Sequence, residues 1–191
     1  LTLQTGETDI AADDVIGKIE FQAPDEGTGT DAILVAAGIQ AVSEGDFSSS
    51  SNATKLSFLT GASEAAAEKM SIASTGATTI STSESGDLLT LTSTHAGNSV
   101  GPGLDFYRNS SSPADNDYLG LMSFRGRNDN SQDVDYAKIL TQIADASDGT
   151  EDGILDIRTI LAGSEVQRVV FSATETVFNE ESKDLDFRVE S

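Results

Sequence analysis

Any chemistry in this 191-residue chain would have to be built mainly from carboxylates. Asp and Glu supply 32 residues, Lys and Arg 11, His one and Cys none. Four acids fall in one turn, Asp145, Asp148, Glu151 and Asp152, followed by Gly153. Oxygen-rich turns with a glycine can hold Ca²⁺. The spacing is not that of an EF-hand loop, and the matching stretch earlier in the chain offers only Glu44 and Asp46. A solvated hairpin turn is the expected reading of Asp145–Asp152, with calcium as the alternative. Asn128-Asp129-Asn130 reads the same way.

His95 lies in a Gly-rich loop with no serine-nucleophile motif near it, and a general base needs an orienting partner within hydrogen-bond reach. Glycoside hydrolysis needs two carboxylates facing each other across a cleft. Sugar sites also favour aromatic faces. Trp is absent, and Tyr107, Tyr118 and Tyr136 fall in or beside expected strands. Arg125 and Arg127 flank Gly126 at a strand end, where ion pairing with the acid-rich surface of a neighbouring chain is the simplest account. Asn52-Ala53-Thr54 and Asn109-Ser110-Ser111 match the glycosylation sequon and read as chance matches. The sequence assigns no catalytic, cofactor-binding or metal-ligating residue.

Composition narrows the class. A net charge of −21 argues against nucleic acid, because phosphate backbones need clustered Lys or Arg. It equally disfavours anionic membrane surfaces. The apolar run near Ile33–Ile39 is broken by Gly38 and far too short to span a bilayer. Hydrophobic residues make up 37% and aromatics 6%, so Ala, Ser, Thr and Gly must fill thin cores. Thin cores suit elongated, repeated or oligomeric architectures. Disorder is the competing reading of such a composition. A repeated alternation counts against it.

That alternation sits in Asp117-Tyr118-Leu119-Gly120-Leu121-Met122-Ser123-Phe124 and, 103 positions earlier, in Asp14-Val15-Ile16-Gly17-Lys18-Ile19-Glu20-Phe21. Every second residue is apolar or Gly, the period of a strand with one buried face. Val15, Ile19 and Phe21 are therefore expected to point into buried space with Tyr118, Met122 and Phe124. Gly17 and Gly120 should mark places where a side chain would crowd a neighbour. Further strands are expected at Leu1–Gln4 and Leu104–Tyr107, and at Ala32–Val42 and Tyr136–Ile143, with Ile143 aligned to Ile39. Lys55–Leu59 matches Ile154–Arg158. Hairpins then return through Met70 and Ile72 or Val169 and Phe171, and each repeat closes at Thr78–Ile80 or Thr176–Phe178. Propensity alone leaves one helical turn open at Ala65–Ala67.

The expected organisation is a β module at 1–80, a linking strand (Asp87–Thr92) and loop at 81–103, and a second module at 104–178. Residues 179–191 read as the first strand of a following module. The chain thus reads as a segment of a longer polypeptide. The fold class is all-β: tandem antiparallel meanders, sandwich- or prism-like, in an elongated fibre.

Three stretches carry a family resemblance: Asp117–Gly120 with Phe124–Asp129, Tyr136–Ile139 with Asp145–Leu155, and Thr176–Glu180 with Asp184–Ser191. Together they resemble the shaft modules of tail fibres of marine tailed bacteriophages. Residues 104–191 carry the likeness; residues 1–80 carry it more weakly, with Ala23-Pro24 where Gly126-Arg127 stands. The resemblance implies a homotrimeric, extracellular fibre on a virion, a structural part without catalysis that spaces a host-recognition tip. It would bind identical chains and other virion tail proteins. The alternatives are a glycan-binding adhesin contacting the host surface and a capsid-borne fibre, with a polysaccharide-degrading tailspike behind both. A far-ultraviolet circular dichroism spectrum should be dominated by β-structure. A helical spectrum would overturn the repeat reading.

Overall fold

The structure is a computed structural model and describes residues 1–24 and 29–179. Two compact units meet in sequence at Thr94 and His95. Each holds one five-stranded antiparallel sheet in simple meander order. The first sheet comprises β1 (Val15–Gln22), β2 (Val35–Ser43), β3 (Thr54–Thr60), β4 (Ala67–Ile72) and β5 (Thr78–Ile80). The second comprises β6 (Tyr118–Arg127), β7 (Asp133–Asp145), β8 (Asp152–Leu161), β9 (Ser164–Phe171) and β10 (Thr176–Phe178). The chain is all-β. The single 3₁₀ turn among the described residues is Asp31–Ile33, and no helix forms at Ala65–Ala67.

The repeat extends to small details. Before β1 and β6 the chain makes the same turn. The Asp14 carboxylate accepts the Ala11 N–H at 2.7 Å, and that of Asp117 accepts the Ala114 N–H at 3.1 Å. Asp13 and Asn116 both stand at φ 69°, the left-handed region that Asp and Asn tolerate best. Asp13 and Asn116 then donate backbone N–H groups to Ser43 and Ile143, while Ser43 and Ile143 donate back to Asp14 and Asp117. These pairs lock the start of each first strand to the end of the next.

Register shifts recur too. One falls between Val15 and Gly17 and between Tyr118 and Gly120, a second at Phe21/Gln22 and Phe124/Arg125, a third at Phe58/Leu59 and Ile157/Arg158. Each inserts a residue into one strand and changes what lies opposite it. Val15 consequently faces Val42, out of step with Ile19 and Phe21, and Tyr118 faces Gln142, out of step with Met122. Register also corrects the alignment of β2 with β7. Ile19 pairs with Ile39 and Met122 with Ile139, so Ile139, not Ile143, is the partner of Ile39. Sequence spacing misled here because the loop before β7 differs in length from the loop before β2.

Gly17 and Gly120 are positions of close approach. A Cβ on Gly17 would lie 2.9 Å from the Leu3 Cβ, and one on Gly120 2.9 Å from the Phe106 Cβ. The segments around Leu3 and Phe106, themselves 103 positions apart, cross the sheet at these glycines. Neither segment forms a ladder, nor does Asp87–Thr92. The strand expected at Asp184–Val189 lies outside the described residues.

Few side chains are enclosed. Among the described residues the buried apolar ones are Val42, Leu140 and Val166. Phe21 is 55% and Phe124 53% exposed, where burial was expected. A sheet needs a second layer to bury a face, and the described residues of neither unit supply one. Gly120→Ala should lower stability by about 1–3 kcal/mol through overpacking against Phe106. The same change in a Phe106→Gly background should cost almost nothing. Urea melts of the four proteins check this, and equal penalties in both backgrounds would show that Phe106 does not set the constraint.

Candidate functional site

Register divides each sheet into two unlike faces. On one face, Ile19, Ile39, Phe58, Met70 and Ile80 lie directly opposite one another across all five strands. In the second sheet, Met122, Ile139, Ile157, Val169 and Phe178 form the same rung. Flanking rungs hold Gly17, Ala41, Leu56 and Ile72 in one sheet and Gly120, Thr141, Leu155 and Phe171 in the other. No residue paired in register on either apolar face is charged. One cation reaches the margin of each, from the third bulge: Lys69 lies beside Thr60 and Ile80, and Arg168 donates to the Thr159 hydroxyl. The large apolar residues stay open to solvent, Ile19, Ile80, Met122 and Phe178 among them. Contiguous exposed apolar surface of this kind marks an interaction site.

The opposite face carries the charges. In the second sheet they form a continuous ladder. Arg125 contacts Asp135 at 2.8 Å, and Asp135 contacts Lys138 at 3.3 Å. Lys138 contacts Glu165 at 2.6 Å, Glu165 contacts Arg158 at 2.7 Å, and Arg158 contacts Asp156 at 2.6 Å. Asp156 is 2% exposed, covered by the long side chains around it; one oxygen accepts from Arg158 and Gln167, and Oδ1 makes no hydrogen bond. The first sheet uses a smaller version. Buried Ser57, the counterpart of Asp156, donates to Glu68 at 2.6 Å, and Lys55 reaches the same carboxylate at 2.9 Å. Serine needs one acceptor where aspartate needs a cation, so one repeat manages with a pair where the other needs a ladder.

The residues singled out for chemistry do not converge. Arg125 and Arg127 pair within their own sheet, with Asp135 and Asp133. Asp145 spends one oxygen on the Ser147 N–H and the other on the Thr150 hydroxyl, contacts that hold its carboxyl below the usual range and close the turn. No group of three or more His, Asp or Glu among the described residues is placed to hold a metal ion. His95 lies against Gly97.

No family model and no curated protein matches the sequence. Solved structures do match the fold, two from one phage among them. The carboxy-terminal domain of the bacteriophage T5 L-shaped tail fibre superposes with a TM-score of 0.67 at 9% identity, over 98% of this chain and 86% of that one. The same domain solved with its intramolecular chaperone domain gives 0.67 at 8% identity, over 100% of this chain and 63% of that one. The fold is that of a phage tail-fibre domain. At such identity the likeness is one of fold, and it supports no link to marine phages in particular.

The charge ladder makes a pH prediction. Hydrogen bonds from Arg125 first, then Ser123 and Lys138, lower the Asp135 carboxyl to about 2 from an ordinary value of 3.8. A carboxyl depressed in the folded state binds fewer protons there than in the unfolded state. Its stabilisation is therefore present above about pH 4 and is lost as pH falls towards 2. Glu165, lowered chiefly by Lys138 and then by Arg158, adds in the same direction. Asp135→Asn should flatten the fall in urea midpoint between about pH 4 and pH 2.5 relative to the unsubstituted chain. Parallel curves would remove Asp135 from the ladder's pH response.

Proposed function

We propose that this chain is a structural segment of a virion tail fibre, a rigid extracellular shaft section that presents a host-recognition tip, and that it works as a parallel homotrimer. The observation that carries the reading is the uncharged apolar face, laid down in the same register in both repeats and left uncovered. In a chain of net charge −21, like-charge repulsion opposes contact between copies everywhere except at such a face.

Area supports the reading. The chain leaves 14389 Å² accessible. A compact monomer of 19.9 kDa would leave about 8,700 Å², and two separate compact units of half that mass about 10,400 Å². The excess, roughly 4,000 Å² over the second figure, lies within the range that obligate interfaces bury. Three chains turning their apolar faces to a common axis would cover it and leave the acids outside. At about 25 cal/mol per Å², burying the apolar share of that area would supply what the chain, with three enclosed apolar side chains among its described residues, lacks on its own.

One observation favours a second reading, a glycan-binding adhesin module. On the charged face, Tyr118, Leu121, Leu140, Lys138, Arg158 and Glu165 line a groove of about 360 Å³, inside the size range of small-ligand sites. An exposed aromatic ring beside charged hydrogen-bonding groups suits a sugar. All three charges are already paired with one another or with neighbours, which favours the shaft reading.

Light scattering should return three times the chain mass of 19.9 kDa. Ile39→Asp, or Ile139→Asp in the other repeat, should reduce it to the mass of one chain. Because the acids repel across chains, the trimer's dissociation midpoint should rise with added salt. A folded, stable monomer at micromolar concentration in both low and high salt would sink the trimer.

A further inference from the structure

The stretch between the two sheets has the composition of an interface rather than of a linker. From Leu88 to Leu104, 17 residues, no Asp, Glu, Lys or Arg occurs. At ordinary composition a stretch of that length would hold roughly four. Within it Leu88-Leu89-Thr90-Leu91-Thr92 has the alternation and β-forming residues of a strand. Yet Asp87–Thr92 pairs with no described strand and makes no backbone hydrogen bond to another described residue. Leu88, Leu89 and Leu91 are all exposed, Leu89 by 63%.

Its place in the fold joins it to the apolar face. Leu88 lines a hollow with Thr60, Lys69 and Ile80, where the face ends at the short edge strand β5; Glu84 and Asp87, just before the uncharged stretch, line it too. Beyond Gly103, Phe106 lies against Gly120 on the corresponding face of the second sheet. The uncharged stretch thus begins beside one apolar face and leads to a segment lying on the other.

We propose that Asp87–Thr92 is an intermolecular strand, hydrogen-bonded to a neighbouring copy of this chain and burying Leu89 and Leu91 against it. The inference rests on the homotrimer proposed above and names what one chain contributes to the next. The charge pattern selects the partner. A copy of the same chain carries the same −21, so it can be met closely only along uncharged surface, and this stretch supplies it next to the face. A cationic partner would be met better by the acidic surface elsewhere. Unpaired strand backbone is the usual template for such addition.

Two measurements on the full 191-residue chain test the proposal and keep it separate from the trimer itself. Light scattering reads assembly; hydrogen exchange read by mass spectrometry reports on amides 88–92. Three times the chain mass, with those amides exchanging at least tenfold slower than unstructured peptide, is expected. A trimer whose 88–92 amides exchange at unstructured rates, while β2, β3, β7 and β8 stay protected, would overturn the intermolecular strand and leave the trimer standing. A monomer would overturn both. In a second arm, L89D/L91D should shift the mass towards one chain with an unchanged circular dichroism spectrum. The milder Leu89→Thr should weaken assembly by a smaller factor. A double variant that assembles as well as the parent would also refute the proposal.

Discussion

A single β-sheet has two faces and, alone, no interior. Most of this protein's features follow from that constraint. Among the described residues each unit is one sheet with no second layer, so one face must be compatible with water and the other must be covered by something outside the sheet. The chain meets the first demand with ion pairs and leaves the second open. Its strands therefore place Ile, Phe, Met and Leu in rungs that run the whole width of the sheet while enclosing almost none of them.

Keeping the two faces distinct requires accurate register, since a one-residue slip would exchange them. The repeated bulges, the Asp-anchored turns before β1 and β6, and the reciprocal backbone bonds to Ser43 and Ile143 all act on register. The second sheet adds a two-residue turn at Ala162 and Gly163, both at positive φ, a geometry that matches the twist of a tight hairpin. Gly17 and Gly120 do a different job: their missing Cβ atoms let the preceding segment cross the sheet closely enough to seat Leu3 and Phe106.

The charged faces show how two repeats can share a fold with different chemistry. Ser57 and Asp156 occupy equivalent buried positions, but only the aspartate brings a full charge with it. Burying a carboxylate is unfavourable unless cations and donors accompany it; Arg158 and Gln167 do so here, with Arg158 held in turn by Glu165 and Glu165 by Lys138. The ladder runs from buried Asp156 to Arg125, which is mostly exposed and where pairing contributes little; the Arg127–Asp133 pair stands apart from it and is exposed too. Most of the net charge of −21 is exposed, where water and salt attenuate it.

The amino-acid sequence alone determined the repeat, the all-β class, the meander order and the two crowded glycines. These are local properties: period-two alternation, turn composition and the absence of a side chain at Gly17 and Gly120 are legible one strand at a time. Tertiary structure decided what depends on pairing between strands. It matched Ile39 with Ile139, because bulges and unequal loops shift register in ways that spacing cannot show. It turned Val15 and Tyr118 out of step with the residues two and four positions on, and drew Arg125 and Arg127 to Asp135 and Asp133 within one sheet. It also showed that Leu1–Gln4, Asp87–Thr92 and Leu104–Tyr107, though patterned as strands, find no ladder among the described residues. Alternation records that a face is meant to be covered; only the fold reveals whether the chain itself provides the cover.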